Sequence, residues 1–453
     1  MNPNTFYMVS LGCAKNTVDS DSMAQLLIQD GYRSIGNSQR AGILIVNTCG
    51  FIGAAREESY AELRKLAGTK LPGQLLIAAG CLTQRYGQEV ARRVPGVDGI
   101  LGTRRWMDIV EVVRTLRKGP HPEPLYALPE EPDLHAQDAP ASVLRASRFG
   151  ASAYVKIADG CRRTCAFCAI PLIKGTAVSR PPGLILEDVA RLNAQGVREI
   201  NLIAQDTTDY GYDLEMKDGL AALLERLTGA VPDLDWIRIM YAFPGYVTDR
   251  LIDVMASHPQ ILPYLDIPLQ HAHPATLTRM RRPAAMDWVH KTIGKMRQAM
   301  PNLAIRTVFI VGYPGETEAE FQTLLDFVQE MRFDHVGAFQ FSFEPGTASE
   351  PLGDPVPVQV KQERYQRLME LQQSISLQVN QGYVGQTLDV LVEGFNKNLV
   401  LGRSYRDAPE VDGMVLIEPE RGSQAVHSLS IGDLVPVKIA GAMAYDLTGH
   451  LAR

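Results

Sequence analysis

Apolar residues recur in two alternating periods along the first part of this chain. Phe6 to Leu11, Ile43 to Val46 and Leu75 to Ala79 are strand-length apolar runs. Between them, Ser20 to Gln29 and Ala54 to Leu66 carry apolar positions at helical spacing and predict amphipathic helices. Strands alternating with helices predict an open parallel α/β sheet. Each run ends beside a cysteine, at Gly12-Cys13, at Asn47-Thr48-Cys49-Gly50 and at Gly80-Cys81. Sites in such sheets form outside the carboxyl ends of the strands, so residues 32 to 36 positions apart can converge there.

The pattern shifts from Gly119 to Pro140, where six prolines and several acidic residues predict a linker or an irregular surface excursion. A second α/β series then begins. Strand-like runs fall at Tyr154 to Ile157, Glu199 to Ala204, Trp236 to Tyr241, Tyr264 to Ile267, Ile305 to Val311 and His335 to Phe341. Helical patterns separate them, at Leu186 to Gln195, Leu220 to Leu227, Asp249 to Ser257 and Glu318 to Met331. Six such units are too few for an eight-stranded barrel and predict a partial, open (β/α)6 barrel.

A proline-rich piece, Pro345 to Pro357, leads into an amphipathic helix over Gln359 to Asn380. From Gly385 to Arg453 the runs are short and broken by Gly, Pro, Asn and Asp: Thr387 to Val392, Val415 to Ile417, Leu434 to Ile439 and Ala444 to Thr448. That pattern predicts a small antiparallel barrel. The fold class is therefore α/β with a terminal β-barrel, in three domains over residues 1–140, 145–380 and 383–453.

Composition changes this picture little. The 453 residues suffice for several buried cores. The start of the chain lacks a basic leader ahead of an apolar run, so no signal peptide is expected. No apolar window is long enough to span a membrane, and a cytoplasmic protein is the expectation. The net charge of −6 argues against a coat for non-specific nucleic-acid binding and suits a basic partner.

The six cysteines change it a great deal. Without a secretory signal they read as metal ligands or catalytic groups rather than disulfides. Cys13, Cys49 and Cys81 share one structural position, at strand ends. Cys161, Cys165 and Cys168 lie in a single loop after a predicted strand, separated by three residues and then two. Zinc favours four ligands in paired two-residue spacings, which this chain lacks. His271 and His273 have no nearby third ligand and read as turn residues. A fully ligated electron carrier would want a fourth cysteine in the loop. Three thiolates per cluster leave one iron open to a small molecule, and two such clusters are the reading that fits all six residues.

Cys161, Cys165 and Cys168, with aromatic Phe167 before the last, resemble the signature of the radical S-adenosylmethionine superfamily. Together with the preceding three-cysteine domain, the six-unit barrel and the small terminal barrel, they resemble the methylthiotransferase family over essentially the whole chain. Arg162 and Arg163 depart from the Asn-His pair more usual in that loop. The resemblance implies two 4Fe–4S clusters, one on Cys13, Cys49 and Cys81 and one on Cys161, Cys165 and Cys168, with S-adenosylmethionine on the second. It implies a carboxy-terminal TRAM domain. By strand position it assigns Phe167, Gln205, Asp206, Gln270, Gly312 and Glu316 to cofactor contacts.

Two branches of the family modify a tRNA adenosine or an aspartate of ribosomal protein S-twelve. The run Gly402-Arg403-Ser404-Tyr405-Arg406-Asp407-Ala408-Pro409-Glu410-Val411-Asp412-Gly413 resembles the ribosomal-protein branch, as does Gln205-Asp206-Thr207. From Gly385 onward nine acidic residues outnumber six basic ones, which suits a basic protein better than RNA. Asp407, Glu410 and Asp412 are thus the expected substrate contacts. The partners implied are ribosomal protein S-twelve, free or in the small subunit, an electron donor such as flavodoxin or ferredoxin, and a sulfur source. A monomer is expected.

Overall fold

A six-stranded parallel sheet opens the computed structural model, which describes residues 2–119, 121–129, 142–396, 399–419 and 428–452. The elements of this first domain are β1 (Asn2–Ser10), α1 (Ala14–Gln29), β2 (Arg33–Ser34), β3 (Ala41–Thr48), α2 (Gly53–Thr69), β4 (Leu75–Gly80), α3 (Cys81–Arg93), β5 (Gly99–Gly102), α4 (Ile109–Leu116) and β6 (Leu125–Ala127). The strand order is β2-β1-β3-β4-β5-β6. Ala41 to Thr48 is buried along its whole length, as a strand covered by helices on both faces must be. Ile43, Ile45 and Ile77 pack against α1 and α4 on one face, while Leu44, Val46 and Leu76 pack against α2 and α3 on the other.

The linker expectation over residues 119–140 needs one correction. Leu125-Tyr126-Ala127 pairs with β5 as a parallel strand, because a short apolar run beside an open sheet edge gains a hydrogen-bonded partner there. Positions 120 and 130–140 of that stretch lie outside the described residues.

The second domain comprises β7 (Ala146–Phe149), β8 (Ser152–Lys156), β9 (Ala158–Asp159), α5 (Ile170–Lys174), β10 (Val178–Ser179), α6 (Pro182–Ala194), β11 (Glu199–Ile203), α7 (Gly219–Ala230), β12 (Trp236–Ile239), α8 (Asp249–Ser257), β13 (Ile261–Asp266), α9 (Pro274–Arg279), α10 (Met286–Ala299), β14 (Ala304–Val311), α11 (Glu318–Met331), β15 (His335–Gln340) and α12 (Val358–Gln381). The sheet runs β15-β14-β13-β12-β11-β8-β7 and ends there without closing. Its six parallel strands are the six predicted runs; β7 is an added antiparallel partner of β8.

Alternation along these strands decides what the sheet can hold. Val155, Ile200, Leu202, Ile237, Ile239 and Leu265 belong to the main core with the surrounding helices. The intervening positions, among them Lys156, Glu199, Arg238 and Asp266, are polar yet buried. They are covered by the other two domains. Lys156 meets Asp19 of α1, and the Arg238 guanidinium donates to the Tyr405 carbonyl at 2.7 Å.

The terminal barrel is formed by β16 (Thr387–Asn396), β17 (Leu399–Ser404), β18 (Val415–Ile417), β19 (Leu434–Ala442) and β20 (Leu447–Leu451), in the closed order β16-β17-β18-β20-β19. Two details differ from the sequence expectation. The last strand begins at Leu447 rather than Ala444, and β18 pairs with β20 in parallel. Five strands in a closed ring cannot all alternate in direction, so at least one pairing has to be parallel. Among the described residues no helix is long and apolar enough to cross a membrane.

Candidate metal and cofactor site

β1, β3 and β4 are neighbours in one parallel sheet, so their carboxyl ends lie side by side. Cys13 caps the amino end of α1, Cys49 follows β3 directly, and Cys81 opens α3. The glycines before two of them are required by geometry. Gly12 has φ +94° and Gly80 φ +103°; a Cβ on Gly12 would stand 2.9 Å from the Cys49 Cβ, and one on Gly80 2.3 Å from the Asn47 Oδ1. The tight exit from each strand is what aims the next cysteine at the common rim.

The second triad is held by backbone bonds. The Cys161 N–H donates to the Gly175 carbonyl at 3.0 Å, Ala166 to Met280 at 2.8 Å and Cys168 to Cys165 at 3.1 Å. Each sulfur of this loop also has a nitrogen donor beside it. The Arg163 N–H lies 3.4 Å from Cys161 Sγ, the Ile170 N–H 3.5 Å from Cys168 Sγ and the Arg282 Nη1 3.6 Å from Cys165 Sγ. Donors to ligating sulfur are a principal means of tuning a cluster.

All six cysteines line one cavity of about 320 Å3 between the first two domains. None forms a disulfide. Burial pushes the thiols of Cys81 and Cys168 up to about 12 and that of Cys161 to about 11. A metal that binds them as thiolates must displace those protons. Among the described residues no three His, Cys, Asp or Glu side chains are close enough to share a single metal ion. A cubane takes three thiolates on three separate irons, a donor set that each triad offers.

The cavity also gathers Phe167, Gln205 and Gln270. Gln205 Oε1 is buried without a hydrogen-bond partner, an acceptor left for a bound donor such as an ammonium group. Gln270 sits in the left-handed region at φ +75°, a strained position of the kind that collects at ligand sites. Asp206, Gly312 and Glu316 do not reach the cavity wall. Asp206 accepts from Arg163 Nε at 2.7 Å and from the Thr208 hydroxyl at 2.5 Å. Glu316 accepts from the Gly312 N–H at 2.9 Å and from Arg364 at 2.8 Å. These residues brace the rim loops. His271 accepts from the His273 N–H at 2.9 Å, and His273 caps α9 through the Ala275 N–H at 3.2 Å, the turn role expected of both.

Sequence reasoning missed four cationic lining residues: Lys15, Arg163, Lys174 and Arg282. Lys15 and Arg163 adjoin cysteine positions and could have been found from that. Arg282 lies on the loop after α9, where nothing local marks it. It stacks 4.0 Å from the Phe243 ring and donates to the Pro268 carbonyl.

The acidic stretch of the terminal domain packs on the central sheet, with Ala408 in one cluster with Tyr154 and Ile203 beside Tyr241 of the cavity wall. Asp412 accepts from the Tyr264 hydroxyl at 2.7 Å and from the Ala408 N–H at 2.9 Å. Asp407 is buried and accepts from the Ser404 hydroxyl at 2.7 Å. Glu410 is exposed, with one oxygen 3.0 Å from the Tyr154 hydroxyl. Asp407 and Asp412 lie where the terminal barrel meets the polar face of the central sheet: Asp412 stands 3.3 Å from Arg306 and Asp407 3.7 Å from His335.

Three family models match the chain: the uncharacterized protein family UPF0004 over residues 5–102, the radical SAM superfamily over 155–328 and the TRAM domain over 384–451. A protein named ribosomal protein uS12 methylthiotransferase RimO, from Chloroflexus aurantiacus, is 47% identical over 98% of this chain and 99% of its own. Proteins of the same name from a Roseiflexus species and from Desulforamulus reducens are 45% and 44% identical over 98% of this chain and 97% and 99% of theirs. Among solved structures, the radical S-adenosylmethionine methyltransferase TsrM from Kitasatospora setae, with cobalamin and a [4Fe–4S] cluster bound, has TM-score 0.55 at 13% identity over 93% of this chain and 84% of its own. The cobalamin-dependent S-adenosylmethionine radical enzyme OxsB has TM-score 0.52 at 11% identity over 82% and 56%. At those identities the likeness is one of fold.

Proposed function

From the premise that this chain belongs to the family of ribosomal protein uS12 methylthiotransferases, we propose that it replaces a hydrogen on the β-carbon of an aspartate in ribosomal protein uS12 (S-twelve) by a methylthio group, using S-adenosylmethionine and two 4Fe–4S clusters. The chain is a radical S-adenosylmethionine methylthiotransferase. The observation that carries the finer reading is the convergence of Cys13, Cys49 and Cys81 with Cys161, Cys165 and Cys168 on one cavity.

The target C–H is neither acidic nor electrophilic, so side-chain acid–base chemistry has no purchase on it and a cofactor has to carry the step. When bound, the clusters and S-adenosylmethionine would supply the carbon radical and the sulfur. The protein's own residues hold, orient and enclose. Cys161, Cys165 and Cys168 would hold one cluster and Cys13, Cys49 and Cys81 the other. Gln205 Oε1 is available to the methionyl ammonium, Phe167 and Phe243 supply apolar wall, and Gln270 stands at the end of the fourth parallel strand. Arg85 of α3 and Glu344 of the loop after β15, paired at 2.8 Å, join the two domains beside the cavity and help exclude water.

A reducing partner such as flavodoxin or ferredoxin and a source of sulfur complete the reaction, in the cytoplasm, with a monomeric enzyme. Mass spectrometry of uS12 from cells with and without this chain tests the reading. The expected result is loss of the increment of one SCH3 replacing one H, located on an aspartate; an unchanged mass overturns it.

A further inference from the structure

Four cationic side chains line the cavity; two are ion-paired, and Arg282, whose Nε is buried without an acceptor, has partners at both Nη atoms. Arg163 is bound to Asp206 at 2.7 Å and to Asp209 at 3.2 Å. Lys174 is bound to Asp19 at 2.9 Å and to Asp159 at 3.2 Å. Arg282 is committed to the Pro268 carbonyl and to Cys165 Sγ. Lys15 differs. It sits in the first turn of α1, is only 9% exposed, and has its Nζ 3.0 Å from the centre of the Tyr241 ring. Among the described residues no carboxylate forms an ion pair with it. The acidic groups around it have other roles: Cys13 is a thiolate ligand in the reading above, Asp266 is bound by Arg306 at 3.0 Å and by the Tyr241 N–H at 3.1 Å, and Asp159 by Lys156 at 3.0 Å.

A buried ammonium held only by an aromatic face is an incomplete arrangement. The ring quadrupole attracts the charge without accepting the hydrogen bonds its three donors can make. Tyr241 itself is strained, at φ +63° just beyond β12, and its ring forms the floor on which the ammonium rests. The ammonium therefore lines the cavity with donors that an entering anion can take up.

We infer that Lys15 is the anchor for the carboxylate of the substrate side chain, so that it positions the target aspartate and discriminates against its amide. This rests on the methylthiotransferase reading given above. Physically, a carboxylate can leave water for this cavity only if a cation meets it. An aspartate gripped at its carboxylate presents the adjacent carbon at a fixed distance from the gripping ammonium. An asparagine of the same shape brings a neutral amide that leaves the ammonium uncompensated, and sites built this way reject the wrong polar group strongly.

Cluster-loaded wild-type, Lys15→Gln, Lys15→Met and Lys15→Arg proteins, with iron and sulfide contents measured, are compared anaerobically for binding two uS12 peptides, one with the target aspartate and one with asparagine in its place. Wild type is expected to prefer the aspartate peptide by about tenfold or more. Lys15→Gln should bring that preference close to unity, and Lys15→Arg should restore part of it. A preference unchanged in Lys15→Gln overturns the assignment, as does a wild type that binds both peptides equally. Weakened binding of S-adenosylmethionine with peptide binding intact would make the methionyl carboxylate the occupant instead. Loss of iron from both Lys15→Gln and Lys15→Met would make Lys15 a support of the Cys13 turn, which also overturns it. The reading beneath fails separately, if uS12 in cells carries no modification that depends on the chain.

Discussion

Lys174, at the end of α5 in the central domain, donates to Asp19 of α1 in the first domain at 2.9 Å, and both side chains are buried. Arg145 reaches the same carboxylate at 2.7 Å and Lys156 meets it too. Burial alone would raise the Asp19 carboxyl, but Lys156, Lys174 and Arg145 hold it well below the usual carboxylate range. One aspartate thus ties together three cations of the central domain, with Asp159 as the second carboxylate of the network. Asp19→Asn would leave that positive charge facing Asp159 alone. Breaking a buried ionic network by removing one partner costs about 3–5 kcal/mol. The expected outcome is a lower melting temperature, checked by calorimetry. An unchanged melting temperature would contradict it.

The two triads hang from different backbones, three strand ends in one domain and a single loop in the other, so they should load independently. Replacing Cys161, Cys165 and Cys168 together by alanine should leave about half of the iron and sulfide of the wild type, consistent with one cluster of the Cys-ligated type remaining. It should also abolish release of 5′-deoxyadenosine. The converse triple replacement of Cys13, Cys49 and Cys81 should retain 5′-deoxyadenosine formation while methylthiolation of uS12 disappears. Iron analysis of the two variants side by side is the check, and complete loss of iron from either would refute independence.

Backbone space, not only ligand identity, fixes the radical loop. Gly160 has φ +77°, and a Cβ there would stand 1.9 Å from the Thr176 carbonyl oxygen. That carbonyl belongs to the turn whose neighbour, Gly175, accepts from the Cys161 N–H. Gly160→Ala changes no thiol, yet it should displace Cys161 and lower iron incorporation at that triad as severely as removing the cysteine. The strain expected is several kcal/mol, beyond the 1–3 of an ordinary left-handed residue, about the level at which local structure gives way. Normal iron content in Gly160→Ala would count against this account of the loop.

Much of the architecture was legible because its signals are local. Six strand-length runs separated by helical periods mark the open barrel, and each was found where the sheet has a strand. The cysteines were legible for the same reason: each follows a strand end, and parallel neighbours bring such ends together. What was hidden depends on partners far away in the chain. Leu125 to Ala127 becomes a strand only because β5 offers an edge. Asp407 and Asp412 read as an acidic surface, yet Tyr264 and Arg306, about 150 and 106 positions earlier, draw Asp412 inward. Arg282 lines the cavity solely through the fold of the loop after α9. No periodicity or spacing announces a contact of that kind.

The attachment of the terminal barrel should be sensitive to acid, and Glu199 sets the window. This carboxylate lies on β11 with no solvent exposure, accepts from Arg238 Nε at 2.8 Å and from the Ser152 hydroxyl at 2.8 Å, and is bound by Arg403 of β17. Burial pushes the Glu199 carboxyl up, but the Arg403 and Arg238 guanidiniums overcome that and hold it at about 2. In the unfolded chain the group titrates at its ordinary value of about 4.5. A carboxyl whose folded pKa is depressed contributes its full stabilisation above the unfolded value and loses it as pH falls through the folded one, an effect on the order of 3 kcal/mol here. The stabilisation should therefore be complete above pH 4.5 and gone below pH 2, declining between. Glu199→Gln should lower stability at neutral pH and flatten this acid limb, since buried Arg238 then lacks its counter-charge and Arg403 keeps only Glu393, at 2.6 Å. Unfolding followed from pH 6 to pH 2 in both proteins provides the check. A variant whose acid limb parallels the wild type would show that other carboxylates, not Glu199, govern the junction.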